Sequence, residues 1–172
     1  DTAVTINLGD HEKLCEAAQK ALDAAISVVK PELVVSEIGK VVEETITSYG
    51  FKPIVNLTGH GLGRYSLHHG LSIPNTGLFG TGVLRNDSVI AIEPFATTGS
   101  GSVHEATRAE IYQVVGDAPV RSPTGRKILK KADEMCGLPF SRRWLGIPKA
   151  ELAIPTLLKQ GNLYDYHVLS DV

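Results

Sequence analysis

Val89-Ile90-Ala91-Ile92-Glu93-Pro94-Phe95 is the stretch from which the rest of the chain is read. Four apolar residues in a row, three of them aliphatic and closed off by a proline, suit a central strand of a sheet. Glu93 ends that run. Glutamate is almost never fully buried unless it is paired, because an unpaired charge in an apolar setting costs several kcal/mol. Two readings stay open: a partnered functional carboxylate, or a strand-end residue that turns to water just before Pro94.

Upstream, His60 sits in Leu57-Thr58-Gly59-His60-Gly61-Leu62-Gly63, where glycines let the backbone approach another group closely. It is either a metal ligand or a loop histidine without one. The glycine spacing lacks the Lys-Ser/Thr of a P-loop and the pattern of a dinucleotide fingerprint. Gly59 to Gly82 as a whole reads as too polar and broken for regular structure. His68 and His69 follow within it. Consecutive side chains on an extended chain point to opposite faces, so at most one of the two can share a site with His60. His11 and His104 have no supporting context, and His167 has little.

Further upstream, Thr2–Leu8 alternates, with Val4, Ile6 and Leu8 on one side, and predicts a strand with one buried face. Gly9-Asp10 offers a turn and an N-cap. Leu14, Ala17, Ala18, Ala21, Leu22, Ala25 and Val29 then recur at helical spacing until Pro31. A second helix is expected from Ser36 through Ile38, Val42, Ile46 and Tyr49, with Gly50 suited to the left-handed position beyond its end. Strands are expected at Ile54–Leu57, Val89–Glu93 and Arg108–Val115. Downstream the composition shifts. Residues 121–159 carry nine Lys or Arg against three Asp or Glu, in helical patterning that ends at Gly161, and Tyr164–Leu169 returns to strand. The expected organisation is α/β, or α+β, with a partial catalytic domain over 1–118, a basic helical insert over 119–162 and a return strand over 163–172.

The bulk properties restrict the function. The chain of 172 residues, 42% hydrophobic and 21% charged, is ordinary for a globular protein. A net charge of −2 gives no global reason to expect DNA or an acidic membrane surface. No apolar run approaches the roughly 20 residues needed to span a bilayer, and no leader pattern precedes the first helix. Two isolated cysteines, Cys15 and Cys136, do not make a disulfide framework and fit a reducing cytoplasm. The chain opens on Asp1 and closes on Val172 inside extended patterns, which predicts a fragment of a longer protein. An Asp, a His and a Glu together would form a mixed donor set suited to Mn, Fe, Co or Zn.

Several motifs in one order carry a resemblance. Asp1-Thr-Ala-Val-Thr5, Lys52-Pro-Ile-Val-Asn-Leu-Thr-Gly-His-Gly61, Arg64-Tyr-Ser-Leu-His68, Ser72-Ile-Pro-Asn75 and Ala91-Ile-Glu-Pro-Phe-Ala-Thr97 resemble the type II methionine aminopeptidases, in their archaeal form, over essentially the whole chain. The resemblance implies the pita-bread fold of the M24 metallopeptidases, here incomplete and with the helical insert of type II enzymes. It implies two divalent metal ions (Co, Mn, Fe or Zn) and a hydroxide between them attacking the first peptide bond of nascent proteins that begin with methionine. Asp1, His60 and Glu93 are similar to metal ligands, Asp1 as a bridge and Glu93 also as a proton shuttle. His68 is similar to the histidine near the scissile carbonyl. Leu67, Phe95 and Tyr166 are similar to residues lining the methionine pocket.

The family pattern also needs an Asp and a His before Asp1 and a Glu after Val172, so the isolated chain is expected to lack turnover and to bind metal weakly. His69 and Val103–Thr107 depart from the family pattern at the substrate rim. Two alternatives remain: a non-enzymatic pita-bread paralogue that binds RNA or ribosomes, and a prolidase-like peptidase. The basic insert reads as a solvated face, with ribosome proximity as the alternative.

Overall fold

The computed structural model describes residues 2–78 and 80–171. It is a mixed α/β structure that divides into two compact units. The first comprises the chain up to His104 together with Ser170 and Asp171. The second is Glu105–Leu169.

In the first unit, α1 (Glu12–Val28) buries Ala17, Ala21 and Ala25 at fourfold spacing. These small side chains let α2 (Val35–Ser48) pack closely against it through Val35, Ile38, Val42 and Ile46. Burying each of those larger side chains is worth about 1.5–3 kcal/mol. Gly50, at φ +84°, stops α2. Its N–H donates to the Thr47 carbonyl and that of Phe51 to the Ile46 carbonyl, which closes the helix in a Schellman pattern. Neither helix has a side-chain N-cap; α1 starts after His11, so Asp10 is not the cap that the sequence suggests.

The sheet beside these helices has the order β3 (Ser72–Ile73), β2 (Gly59–Leu62), β4 (Val89–Ala91), all antiparallel. Ile73, Ile90 and Ile92 join the helical core, so one face of β4 is set by hydrophobic packing. A separate two-stranded pair joins β1 (Lys52–Pro53) to β5 (Ala96–Thr97).

Three expectations change here. The stretch from Gly59 to Gly82 holds two strands, because its glycines permit contacts that side chains would block. A Cβ on Gly59 would stand 2.2 Å from the Ala91 carbonyl oxygen, and one on Gly61 1.9 Å from that of His69. Residues 2–8 form no strand. Val4, Ile6 and Leu8 are 84%, 74% and 94% exposed, so the alternation is real but finds no covering layer among the described residues. The strand expected at Ile54–Leu57 lies just before it, at Lys52–Pro53.

The second unit centres on β6 (Val103–Val114), which lies between β7 (Phe140–Ser141) and β8 (Leu163–Asp171). Helix α3 (Pro123–Asp133) has Pro123 at its first position, and the Ser122 hydroxyl caps the Gly125 N–H at 3.2 Å. Helix α4 (Ala150–Lys159) follows a short 3-10 turn at Arg142–Trp144, and Gly161 at φ +72° turns the chain into β8. Phe140, Ile128 and Leu157 are essentially inaccessible and form the core with Tyr112, Ile154 and Leu163.

Candidate metal centre

The helices decide which way Glu93 points. Ile90 and Ile92 pack on the helical core, and strand alternation sends Ala91 and Glu93 to the other face. On β2, His60 pairs directly with Ala91 and shares that face. The two side chains meet, with His60 Nε2 3.3 Å from Glu93 Oε1. His60 is 7% exposed, whereas the Glu93 side chain keeps 29% of its surface.

The other imidazole nitrogen is committed to the backbone. His60 Nδ1 lies 3.2 Å from the Gly61 carbonyl oxygen, which can only accept, so Nδ1 carries the hydrogen. In the neutral ring Nε2 then presents a lone pair to a carboxylate oxygen. Two acceptors at this distance need a proton or a cation between them. An imidazole oriented by a backbone carbonyl beside a carboxylate is the donor chemistry of a first-row divalent metal site. These two residues fit such an ion. Among the described residues, no group of three or more His, Cys, Asp or Glu is placed to hold one. Asp1, the third expected ligand, lies outside the described residues.

His68 joins the pair. Its ring meets that of His60 edge to face, with centroids 4.4 Å apart. His69 instead borders Gly63 on the tight turn where the Gly63 and Ser66 backbones bond each other. Leu67 lies in the same β2–β3 connection and is half-buried. Phe95 follows Glu93 by two residues and is 37% exposed, and its carbonyl accepts the Ile54 N–H at 2.9 Å. Tyr166 belongs to the second unit. There its hydroxyl donates to Gln113 Oε1 at 2.6 Å, and burial followed by the neighbouring Tyr164 pushes its pKa up.

A groove of the first unit, about 720 Å³, is lined by Gly61, Gly63, His69, Leu71, Arg85 and Ile90 among others. It borders none of the expected site residues described. Volume and chemistry therefore disagree about the site, and the His60 face is favoured because there an imidazole and a carboxylate approach each other with a second imidazole alongside.

Residues 1–119 match the model of metallopeptidase family M24. The chain belongs to that family. Its M24 relatives include the methionine aminopeptidases of Archaeoglobus fulgidus, 48% identical over 174 residues, and of Pyrococcus horikoshii, 47% identical over 179. Both alignments cover all of this chain but only 59% and 61% of those proteins. The chain thus spans about three-fifths of the length of the curated relatives it matches.

Solved structures agree on the fold. A thermophilic Arx1 superposes with a TM-score of 0.73 over 99% of this chain and 55% of that one, at 21% identity, which speaks for the pita-bread architecture alone. The methionine aminopeptidase of Thermotoga maritima gives a TM-score of 0.52 at 36% identity over 56% of this chain and 39% of that one. Membership of a metallopeptidase family implies divalent metal use. No helix among the described residues is long and apolar enough to cross a membrane.

The sequence reading missed one contributor, the Gly61 carbonyl that orients His60. Nothing in residue types marks a backbone oxygen as a second-layer partner. Only the turn of the strand reveals it.

Proposed function

We propose that this chain carries ligands and acid–base groups of a metallo-aminopeptidase that removes the N-terminal methionine from nascent proteins. The observation that supports it most is the approach of His60 Nε2 to Glu93 Oε1, with the His68 ring against His60. Similarity to archaeal methionine aminopeptidases over the whole chain adds the substrate class.

In this reading Asp1, His60 and Glu93 hold two divalent ions of the Co, Mn, Fe or Zn type. The ions, when bound, supply Lewis acidity toward the peptide carbonyl and activate water near neutral pH. Glu93, part-exposed at the mouth of the pair, takes the proton of the attacking water and returns it to the leaving amine. His68 donates to the carbonyl oxygen as negative charge builds on it. Leu67, Phe95 and Tyr166 receive the methionine side chain.

The sequence divides in this reading into a catalytic part at 1–118, a basic insert at 119–162 and a return strand at 163–172. The cytoplasm suits it, since Cys15 and Cys136 are both free. The basic insert reads first as a solvated face; placement near ribosomal RNA is the second reading, and salt-sensitive co-sedimentation with ribosomes would favour it.

A transplant tests the reading. Exchanging this chain for the matching segment of the Archaeoglobus fulgidus enzyme gives a chimaera whose other ligands are supplied. We expect it to release methionine from Met-Ala-Ser and to leave Ala-Pro intact, with His60→Ala and Glu93→Gln each lowering turnover by at least about 100-fold. Cleavage of Ala-Pro instead would assign a prolidase-like activity. A folded chimaera that hydrolyses neither peptide would favour a non-enzymatic paralogue.

A further inference from the structure

We propose that Asp171 is a positioning residue for Glu93 and acts through Thr97. Thr97 is 4% exposed, lies four residues beyond Glu93, and forms with Ala96 the two-residue strand β5. Its hydroxyl oxygen accepts the Gly99 N–H at 2.8 Å, which leaves its single hydrogen to donate, and the Asp171 carboxylate takes it. Asp171 comes from 74 residues further along the chain.

The segment that carries Glu93 is held on its downstream side by a few contacts, one of them Ala96 packing on the helical core. It has the Phe95 carbonyl bonded to Ile54 and a ladder of two residue pairs to Lys52 and Pro53. So short a ladder is marginal by itself. A charge-assisted bond to a buried hydroxyl is about twice as strong as a neutral one. It ties the far side of this segment to the end of β8, while Ile92 anchors the near side in the helical core. Glu93 is held between the two anchors, within reach of His60. A carboxylate that fixes the backbone next to a ligand acts as a metal-site partner although it never touches the ion.

This inference rests on the reading that His60 and Glu93 bind metal. The test is a cobalt(II) titration of the chimaera with the Archaeoglobus fulgidus enzyme, in which the other ligands are supplied, followed by the visible absorption band, with Tm measured in parallel without metal. His60→Ala is expected to abolish the band. Asp171→Ala and Thr97→Val are each expected to weaken cobalt binding about tenfold or more. The double variant should be no worse than either single one, because both break one bond. Thr97→Ser, which keeps the hydroxyl, should restore parental affinity.

Loss of Tm with unchanged cobalt affinity in Asp171→Ala and Thr97→Val would make the pair a mere staple and overturn the proposal, leaving the metal reading intact. Absence of any His60-dependent band in the parent would overturn both.

Discussion

The two compact units solve different problems. Residues 105–169 carry ten Lys or Arg against seven Asp or Glu, while the rest of the chain carries seven against twelve. The opposite signs put the acidic excess, which attracts cations, in the unit that holds His60 and Glu93. Their interiors differ as well. The second unit is filled by large side chains such as Phe140, Ile128 and Leu157. Around β2 the first unit is closed by backbone lying on glycine, at Gly59 and Gly61. Side-chain packing gives stability to a scaffold. Backbone-on-glycine packing spends no side chain on that layer and leaves the facing positions to His60 and Glu93.

Phe140→Ala gives the largest expected effect. Truncating that ring should cost about 3–5 kcal/mol, read by urea unfolding, with α3 and α4 losing amide-exchange protection. Equal loss of protection in α1 and α2 would break the contrast between the units. Gly61→Ala comes next. The new Cβ would meet the rigid His69 backbone, so overpacking should cost about 1–3 kcal/mol. It should also separate His60 from Glu93, visible as weaker cobalt binding; an unchanged affinity would show that the glycine is dispensable to the site.

The smallest effect sharpens the picture of the second unit. His167 Nδ1 meets the Ala106 carbonyl at 2.7 Å and Nε2 faces Asp165 Oδ2 at 3.2 Å. The Ala106 bond, then Asp165 and Glu105, hold its pKa above the usual 6.5, against the opposing effect of burial. Its contribution is complete below the unfolded pKa and is lost as pH rises through the raised folded value. His167→Gln should therefore lower stability at about pH 6 and scarcely at about pH 9. A difference that stays constant across that range would remove the charged form from the account.

Much of the helical framework was legible in residue order. The Ala17-Ala21-Ala25 stripe, the Ile38-Val42-Ile46 stripe and Gly50 all follow local rules of period and φ, and all appear where expected. The basic helical stretch ending at Gly161 is equally local. The strands around the site were less legible. Gly59–Leu62 forms a strand because Ile90 and its neighbours lie across from it, and a window of sequence contains no partner strand. The same blindness runs in reverse at Val4, Ile6 and Leu8, where alternation was plain but no covering layer follows among the described residues.

Residue types by themselves determined which groups have the chemistry for metal and proton work, since an imidazole between glycines and a glutamate ending an apolar run can be read from one dimension. Tertiary structure alone decided that His60 and Glu93 share a face 3.3 Å apart, that His68 rather than His69 joins them, and that Asp171 reaches back to Thr97. The physical reason is that chemical capacity resides in a side chain, whereas proximity depends on strand register and on packing between segments far apart in the chain.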